Sequence, residues 1–234
     1  MQPVPISQTQ AQVQVNSFIR SVYNWMAVGL GITGIISYYI ISNQQLIFYL
    51  RKNFMLVLGL FIVELILVFS IARKIQQIKA STATGLFLLY SALNGITLSV
   101  ILYHYTLQSV ASTFFVCAAT FAACSVFGMV TKRDLTGVGQ FMFMGLIGII
   151  IATVVNMFIG SHGLQMIISY LGVFIFVGLT AYDTQKLKNM ALTQPDGLGA
   201  AVIRKGAIMG ALTLYLDFIN MFIFLLHILG VSRD

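Results

Sequence analysis

The stretch Phe54-Met-Leu-Val-Leu-Gly-Leu-Phe-Ile-Val-Glu-Leu-Ile-Leu-Val-Phe-Ser-Ile-Ala72 contains a single ionisable side chain, Glu64. An α-helix needs about 20 predominantly apolar residues to cross the ~30 Å hydrocarbon core of a bilayer. Spanning β-strands would instead show alternating segments of about 10 residues, and the sequence has none. The stretch therefore predicts a transmembrane helix.

Six more segments of this kind occur among the 234 residues, with short connectors between most of them. The seven predicted spans are Tyr23–Ile41, Phe54–Ala72, Thr82–Tyr103, Val110–Val130, Val138–Ile159, Leu164–Asp183 and Ala207–Leu229. Short connectors make successive helices antiparallel neighbours. The sequence predicts an all-α, seven-helix transmembrane bundle over residues 23–234.

The other regions are a Gln-rich lead and one long connector. Residues 1–22 are predicted to be a mostly disordered cytoplasmic tail, helical at most where it nears the membrane. Residues 184–206 are charged and contain the turn-prone Gln194-Pro195-Asp196-Gly197. We expect part of this connector to extend the sixth span.

Charge gives the orientation and limits the function classes. Only 8% of the residues are charged and 59% are hydrophobic, whereas soluble domains carry about a quarter charged residues. With the N-terminus inside, ten basic residues lie on the cytoplasmic side and three lie outside, Arg51, Lys52 and Arg233. The positive-inside rule then places the N-terminus in the cytoplasm and the C-terminus outside. The same excess of cytoplasmic basic residues explains the net charge of +7. The sequence contains no nucleic-acid-binding motif, so the positive charge does not indicate a nucleic-acid-binding function.

Three acidic residues are the candidate functional groups, because a charge within a membrane helix costs at least about 2.5 kcal/mol. Glu64 lies near the middle of the second span, Asp217 lies inside the seventh, and Asp183 ends the sixth. Asp134, Asp196 and Asp234 are expected to be solvated. Structural alternatives remain open: Asp183 pairs with Lys186 at i+3, or Asp217 is neutral and bonded to Thr213 at i−4.

Carboxyl groups in a low-dielectric bundle can share a proton or bind a hard cation such as Ca²⁺. Neutral oxygens that would complete such a site are those of Asn94, Asn156, Tyr182, Tyr215 and Asn220. The three histidines, His104, His162 and His227, match no zinc spacing, and we expect them at helix ends. No cofactor is predicted apart from Ca²⁺ as a permeant or bound ion.

Two motifs resemble the bacterial branch of the transmembrane Bax inhibitor motif family. They are Gly178-Leu-Thr-Ala-Tyr-Asp-Thr-Gln-Lys-Leu and Ala211-Leu-Thr-Leu-Tyr-Leu-Asp-Phe-Ile-Asn-Met-Phe. The resemblance implies a central seventh helix and a pH-sensitive Ca²⁺ leak in the bacterial inner membrane, gated by Asp183 and Asp217. It also implies a basic partner for Asp183, for which Arg73 is the best match. Glu64 and Asn220 would lie on the ion pathway.

Two other functions stay open. One is a regulator that transports nothing and binds a membrane protease or cell-death machinery. The other, more remote, is an intramembrane aspartyl protease, but Tyr215-Leu216-Asp217 lacks the Gly-x-Gly-Asp of those enzymes. We expect no enzymatic activity, and the expected partners are the lipid bilayer, Ca²⁺, H⁺ and a membrane protein.

Overall fold

A computed structural model describes residues 8–193 and 199–233, and this part of the chain forms eight α-helices. The helices are α1 Gln8–Ser42, α2 Gln44–Lys52, α3 Phe54–Lys74, α4 Ala80–Leu102, α5 Leu107–Val130, α6 Thr136–Ile159, α7 His162–Leu192 and α8 Ala200–Leu229. All except α2 are long and apolar enough to cross a membrane. The predicted all-α architecture with seven spans is confirmed.

Helix α1 begins at Gln8, well before Tyr23, where we placed the start of the first span. Four buried apolar side chains in this early part recur at the i, i+3, i+4, i+7 spacing of one helix face, namely Val15, Phe18, Ile19 and Val22. Such a face stabilises a helix by packing even where the other positions are polar. The predicted boundary between tail and bundle therefore falls inside one continuous helix.

Helix α2 occupies the connector after the first span, where the sequence analysis expected only a short link. Its first turn is capped by Asn43, whose side-chain oxygen accepts hydrogen bonds from the N–H groups of Gln45 and Leu46. Ile47 and Leu50 are buried one turn apart. An Asn cap followed by apolar residues at i+3 spacing is a usual start of a short amphipathic helix.

The long connector is mostly helical. Helix α7 continues to Leu192, which confirms that the sixth span extends into the connector, and α8 starts at Ala200 rather than Ala207. The predicted turn Gln194-Pro195-Asp196-Gly197 lies outside the described residues, as does Asp234.

The chain divides into two compact units. Unit 1 contains the residues up to Ile101 together with Leu187–Leu212. In it, α1 packs closely on α4: the Thr33 hydroxyl donates to the Ser91 carbonyl at 2.8 Å, and the Ser37 hydroxyl donates to the Gly95 carbonyl at 2.8 Å. Small and hydroxylated residues are typical of such helix contacts in membranes.

Unit 2 contains Leu102–Lys186 and Thr213–Asp234. One face of α5 is buried along its whole length, at Ser109, Thr113, Cys117, Phe121, Ser125 and Gly128. The Phe121 ring meets Phe218 of α8 edge to face, with centroids 5.4 Å apart. Toward the other end, α5 approaches α7 so closely that a Cβ at Gly128 would collide with the Ala181 carbonyl oxygen.

Helix α8 is the most enclosed of the seven spans: 56% of its most apolar stretch is buried, against 11% for α3. Leu214, Tyr215 and Met221 are fully buried. The central position that the resemblance implies for this seventh span stays a prediction.

Candidate functional site

Asp217 is a buried acidic residue of unit 2. It lies in the middle of α8 with only 5% of its surface exposed. Its Oδ2 atom is buried and has no hydrogen-bond partner among the described residues. Since buried polar atoms are nearly always hydrogen-bonded, an exception calls for an explanation in terms of function or an unseen ligand.

Asp183 lies on α7 and is half-buried. Its carboxyl group is close enough to that of Asp217 for the two to interact electrostatically. It also interacts with the exposed ammonium group of Lys186, which lies 5.9 Å from the centre of the Tyr182 ring. The carboxyl group of Asp183 therefore lies within electrostatic range of both Asp217 and Lys186, and the sharing of a proton between the two aspartates stays a prediction.

The α7 segment that carries Asp183 is packed tightly from two sides. On one side Ser125 and Thr184 place their hydroxyl oxygens 3.5 Å apart. On the other side Gly139 of α6 lies against the Tyr182 ring, which a Cβ would meet at 2.5 Å. Close packing of this kind fixes the position of the Asp183 backbone within unit 2.

Gln185 is a site residue that the sequence analysis did not single out. Its side chain accepts a hydrogen bond from the Leu135 N–H and donates one to the Arg133 carbonyl, both at 2.8 Å. It thereby fixes the connector between α5 and α6 at a point two residues from Asp183. The available signal was a polar, uncharged side chain beside the aspartate in the Tyr-Asp-Thr-Gln motif.

Glu64 belongs to a separate polar cluster in unit 1. Its carboxyl group is 3% exposed and accepts hydrogen bonds from Thr97 Oγ1 at 2.8 Å and Asn94 Nδ2 at 3.2 Å. Both donors come from α4, and Tyr90 of the same helix also interacts with Glu64 electrostatically. The hydrogen-bond partners of Glu64 thus lie on a different helix from its own.

The remaining predicted residues have simpler surroundings. Arg73 is exposed in the last turn of α3, and its pairing with Asp183 stays a prediction. Asn220 is half-buried and donates to the Leu216 carbonyl of its own helix at 2.8 Å. Asn156 lies in the last turn of α6, where its side-chain oxygen accepts from the Ser161 N–H; we had expected this residue in the middle of its span.

Asp134 lies between the candidate spans and is solvated, as predicted. Its carboxylate accepts from the hydroxyl and the N–H of Thr136, at 2.6 and 2.9 Å. These bonds, that from the hydroxyl first, lower the pKa of Asp134 below its ordinary value. Asp134 therefore stays ionised at neutral pH and offers a control for the buried aspartates.

A resident metal would need more ligands than the aspartate pair supplies. Two carboxyl groups provide at most four oxygens, whereas Ca²⁺ takes six to eight. Among the residues that the structure describes, no group of three or more His, Cys, Asp or Glu side chains could hold a metal ion.

Seven apolar helices with an enclosed, interacting pair of carboxyl groups define a multi-pass helical membrane protein. Residues 15–234 match the model of the family described as inhibitor of apoptosis-promoting Bax1. The chain belongs to this Bax inhibitor-like family, as the resemblance indicated. As a member of a membrane protein family, it sits in a lipid bilayer.

Similar bacterial proteins cover nearly the whole chain. It is 47% identical to the inner membrane protein YbhL of Escherichia coli over 96% of this chain and 95% of that protein. It is 42% identical to an uncharacterised protein of Deinococcus radiodurans over 100% and 98% of the two chains. A third, uncharacterised protein of Borreliella burgdorferi is 41% identical over 99% of each chain.

Proposed function

We propose that the protein is a pH-sensitive, Ca²⁺-permeable leak channel gated by Asp183 and Asp217. The observation that supports this proposal is the enclosed Asp217 carboxyl group, with one oxygen unpartnered, interacting with the half-buried Asp183. The family resemblance is the reason for proposing Ca²⁺ as the ion. The carboxyl pair is the group that we propose responds to pH.

The physical basis is the cost of two like charges in a low-dielectric interior. Neighbouring carboxyl groups reduce this cost by sharing one proton, and the pair then titrates as a unit. A divalent cation competes with the proton for the same oxygens. A change in pH therefore changes both the repulsion across the pair and its attraction for Ca²⁺.

The proposal includes three further residues. Arg73 is the proposed basic partner of Asp183, and Glu64 and Asn220 are placed on the ion pathway. These assignments rest on the family resemblance and on the acidic character of Glu64. A loss of flux in Glu64→Gln would support a pathway role, whereas wild-type flux in that variant would remove Glu64 from the pathway.

The proposed location is the bacterial inner membrane, with the N-terminus in the cytoplasm and the C-terminus outside. The first part follows from the inner membrane location stated in the name of the Escherichia coli relative. The orientation rests on the excess of basic residues in the predicted cytoplasmic segments. We also propose that the protein is not an enzyme, because the bulky residues Tyr215 and Leu216 precede Asp217 where aspartyl proteases of this kind have glycine.

The test is Ca²⁺ flux into proteoliposomes that contain the purified protein, from pH 5 to 8. We expect a flux above that of empty liposomes which changes with pH, and a flattened profile in Asp217→Asn. Asp134→Asn is the matched control, since it removes a solvated carboxylate, and it should keep the wild-type profile. No flux at any pH would contradict the leak and leave a membrane regulator, whose partner a pull-down would identify.

A further inference from the structure

Three side chains join α6, α7 and α8 within unit 2, away from the aspartate pair. Asn156 Nδ2 donates to Gln165 Oε1 at 3.2 Å. Gln165 Nε2 lies 3.3 Å from His227 Nδ1. Asn156 is buried, and Gln165 and His227 are half-buried.

A backbone group fixes the direction of this chain of hydrogen bonds. Asn156 Oδ1 accepts from the Ser161 N–H at 3.1 Å, and a backbone N–H can only donate. The Asn156 amide group must therefore point its nitrogen toward Gln165. Gln165 must then accept from Asn156 with its oxygen and point its own nitrogen toward His227.

The geometry of the turn holds this starting point in place. Gly160 ends α6 in the left-handed conformation, with φ of +66°, and its N–H donates to the Asn156 carbonyl at 2.7 Å. The Ser161 hydroxyl accepts from the Leu164 N–H in the first turn of α7. The donor that orients Asn156 is thus part of a defined turn between two helices.

It follows that His227 Nδ1 has to accept a hydrogen bond. A neutral imidazole accepts through one nitrogen and donates through the other, whereas the imidazolium donates through both. We infer that Asn156, Gln165 and His227 form a one-way hydrogen-bonded chain that holds His227 neutral, and that protonation of His227 releases the end of α8 from α7. Reversing the Gln165 amide cannot accommodate the new proton, because two donors would then meet at Asn156.

A second effect acts in the opposite direction. His227 lies in the last turn of α8, and the carbonyl groups at a helix C-terminus favour a cation. The amide chain favours the neutral ring and the helix end favours the charged one. The ring of His227 is therefore subject to two opposing electrostatic effects.

Other titratable or charged groups lie near this end of α8. Gln165 and Asn156, which face His227 from α7 and α6, are neutral. His104 and Arg233 both contact the Tyr103 ring. Tyr105 forms an isolated antiparallel backbone bridge with Ser232. His162 is exposed at the start of α7. Asp217 lies ten residues earlier in α8, about 15 Å along the axis, so His227 is a titrating site separate from the aspartate pair.

The test is the ring ¹⁵N spectrum of the full-length protein in detergent, with ¹⁵N-histidine and with His104→Gln and His162→Gln for assignment. At pH 7.5 we expect the neutral tautomer of His227 that carries its proton on Nε2. A proton on Nδ1 in the wild-type protein would overturn the inference.

The sharper variant is Asn156→Asp, which does not contact His227. An aspartate accepts from Ser161 and also from Gln165, so the Gln165 amide reverses and presents its oxygen to His227. We expect His227 to gain a proton on Nδ1, either as the other neutral tautomer or as the imidazolium. Asn189→Asp adds the same charge at an exposed position of α7 and should leave the signals unchanged.

Gln165→Glu keeps the test decisive if Asn156→Asp does not fold. A carboxylate beside His227 Nδ1 should convert the ring to the imidazolium at pH 7.5. Unchanged His227 signals in every folded variant would contradict the proposed chain. The inference does not depend on Ca²⁺ flux, so its failure and that of the proposed function are distinguishable.

Discussion

Glu64 and Asp217 are both enclosed carboxyl groups, but their oxygens have different surroundings. Each oxygen of Glu64 accepts a hydrogen bond from α4. In contrast, Asp217 Oδ2 has no partner in the part of the chain that the structure describes. A satisfied carboxyl group stabilises helix packing, whereas an unsatisfied one is available to a proton or a cation. The difference favours Asp217 as the responsive group.

Replacing Glu64 by leucine should destabilise the protein. The change removes the acceptor of the part-buried hydrogen bonds from Thr97 and Asn94, and each such bond contributes about 0.5–1.5 kcal/mol to stability. Glu64→Gln keeps an acceptor for Thr97 and should cost less. Thermal unfolding in detergent measures both, and a leucine variant as stable as the wild-type protein would show that these bonds do not support the α3–α4 contact.

Asp134, in contrast to the proposed pair, does not contribute to the pH response between pH 5 and 8. Because its folded-state pKa is lowered, the stability it contributes is present above its unfolded pKa of about 3.9. That stability is lost only as the pH falls through the still lower folded value. Between pH 5 and 8 its ionisation does not change, and a change in flux over this range must have another source.

At the scale of elements, the contacts of α5 determine how Asp183 is held. Helices without a hydrophobic driving force between them associate through close backbone approach at small residues. Gly128 makes such an approach to Ala181, one helical turn along α5 from Ser125, whose hydroxyl contacts that of Thr184. The packing makes the α5–α7 contact rigid next to the proposed gate.

Gly128→Ala should therefore weaken the α5–α7 contact. The added methyl group collides with the Ala181 carbonyl oxygen, a backbone atom that cannot turn away, and overpacking of this kind costs about 1–3 kcal/mol. Gly148→Ala in α6 is the matched control, because a Cβ there meets nothing within 4 Å. Thermal unfolding of the two variants should differ, and equal stability would contradict the tight contact.

The sequence predicted the long elements well and the short ones poorly. Each of the seven spans is a run of apolar residues whose length is set by the bilayer, so composition alone reveals it. Helix α2 was missed because its nine residues are too few to cross a bilayer, and its signals are the Asn43 cap and the spacing of Ile47 and Leu50. Helix was predicted only where the Gln-rich segment nears the membrane, and α1 extends further back because one of its faces is buried by packing.

For the whole molecule, the site was predictable as residue types but not as contacts. Acidic residues in apolar helices identified Glu64, Asp183 and Asp217 without any structure. Residue spacing along a helix does not reveal contacts between helices, so the packing of α7 and α8 was needed to show that the two aspartates lie within electrostatic range. Gln165 and Gln185 were missed because their roles depend on partners that are distant in the sequence.

The orientation of the molecule can be tested with single cysteines in a protein without Cys117 and Cys124. Ser232→Cys should react in intact cells with a maleimide that does not cross membranes, because the C-terminus is proposed to be outside. Gln77→Cys, in the connector after α3, should react only after permeabilisation. The reverse pattern would contradict the orientation taken from the basic residues.

The central claim is that Asp183 and Asp217 act as one proton-sharing unit that controls Ca²⁺ flux. Two residues that act as a unit show strongly non-additive effects. Ca²⁺ flux from pH 5 to 8 should therefore be compared among Asp183→Asn, Asp217→Asn and the double variant. We predict that either single change flattens the pH profile and that the double variant resembles the single ones. Independent effects that add in the double variant, or single variants with the wild-type profile, would contradict the claim.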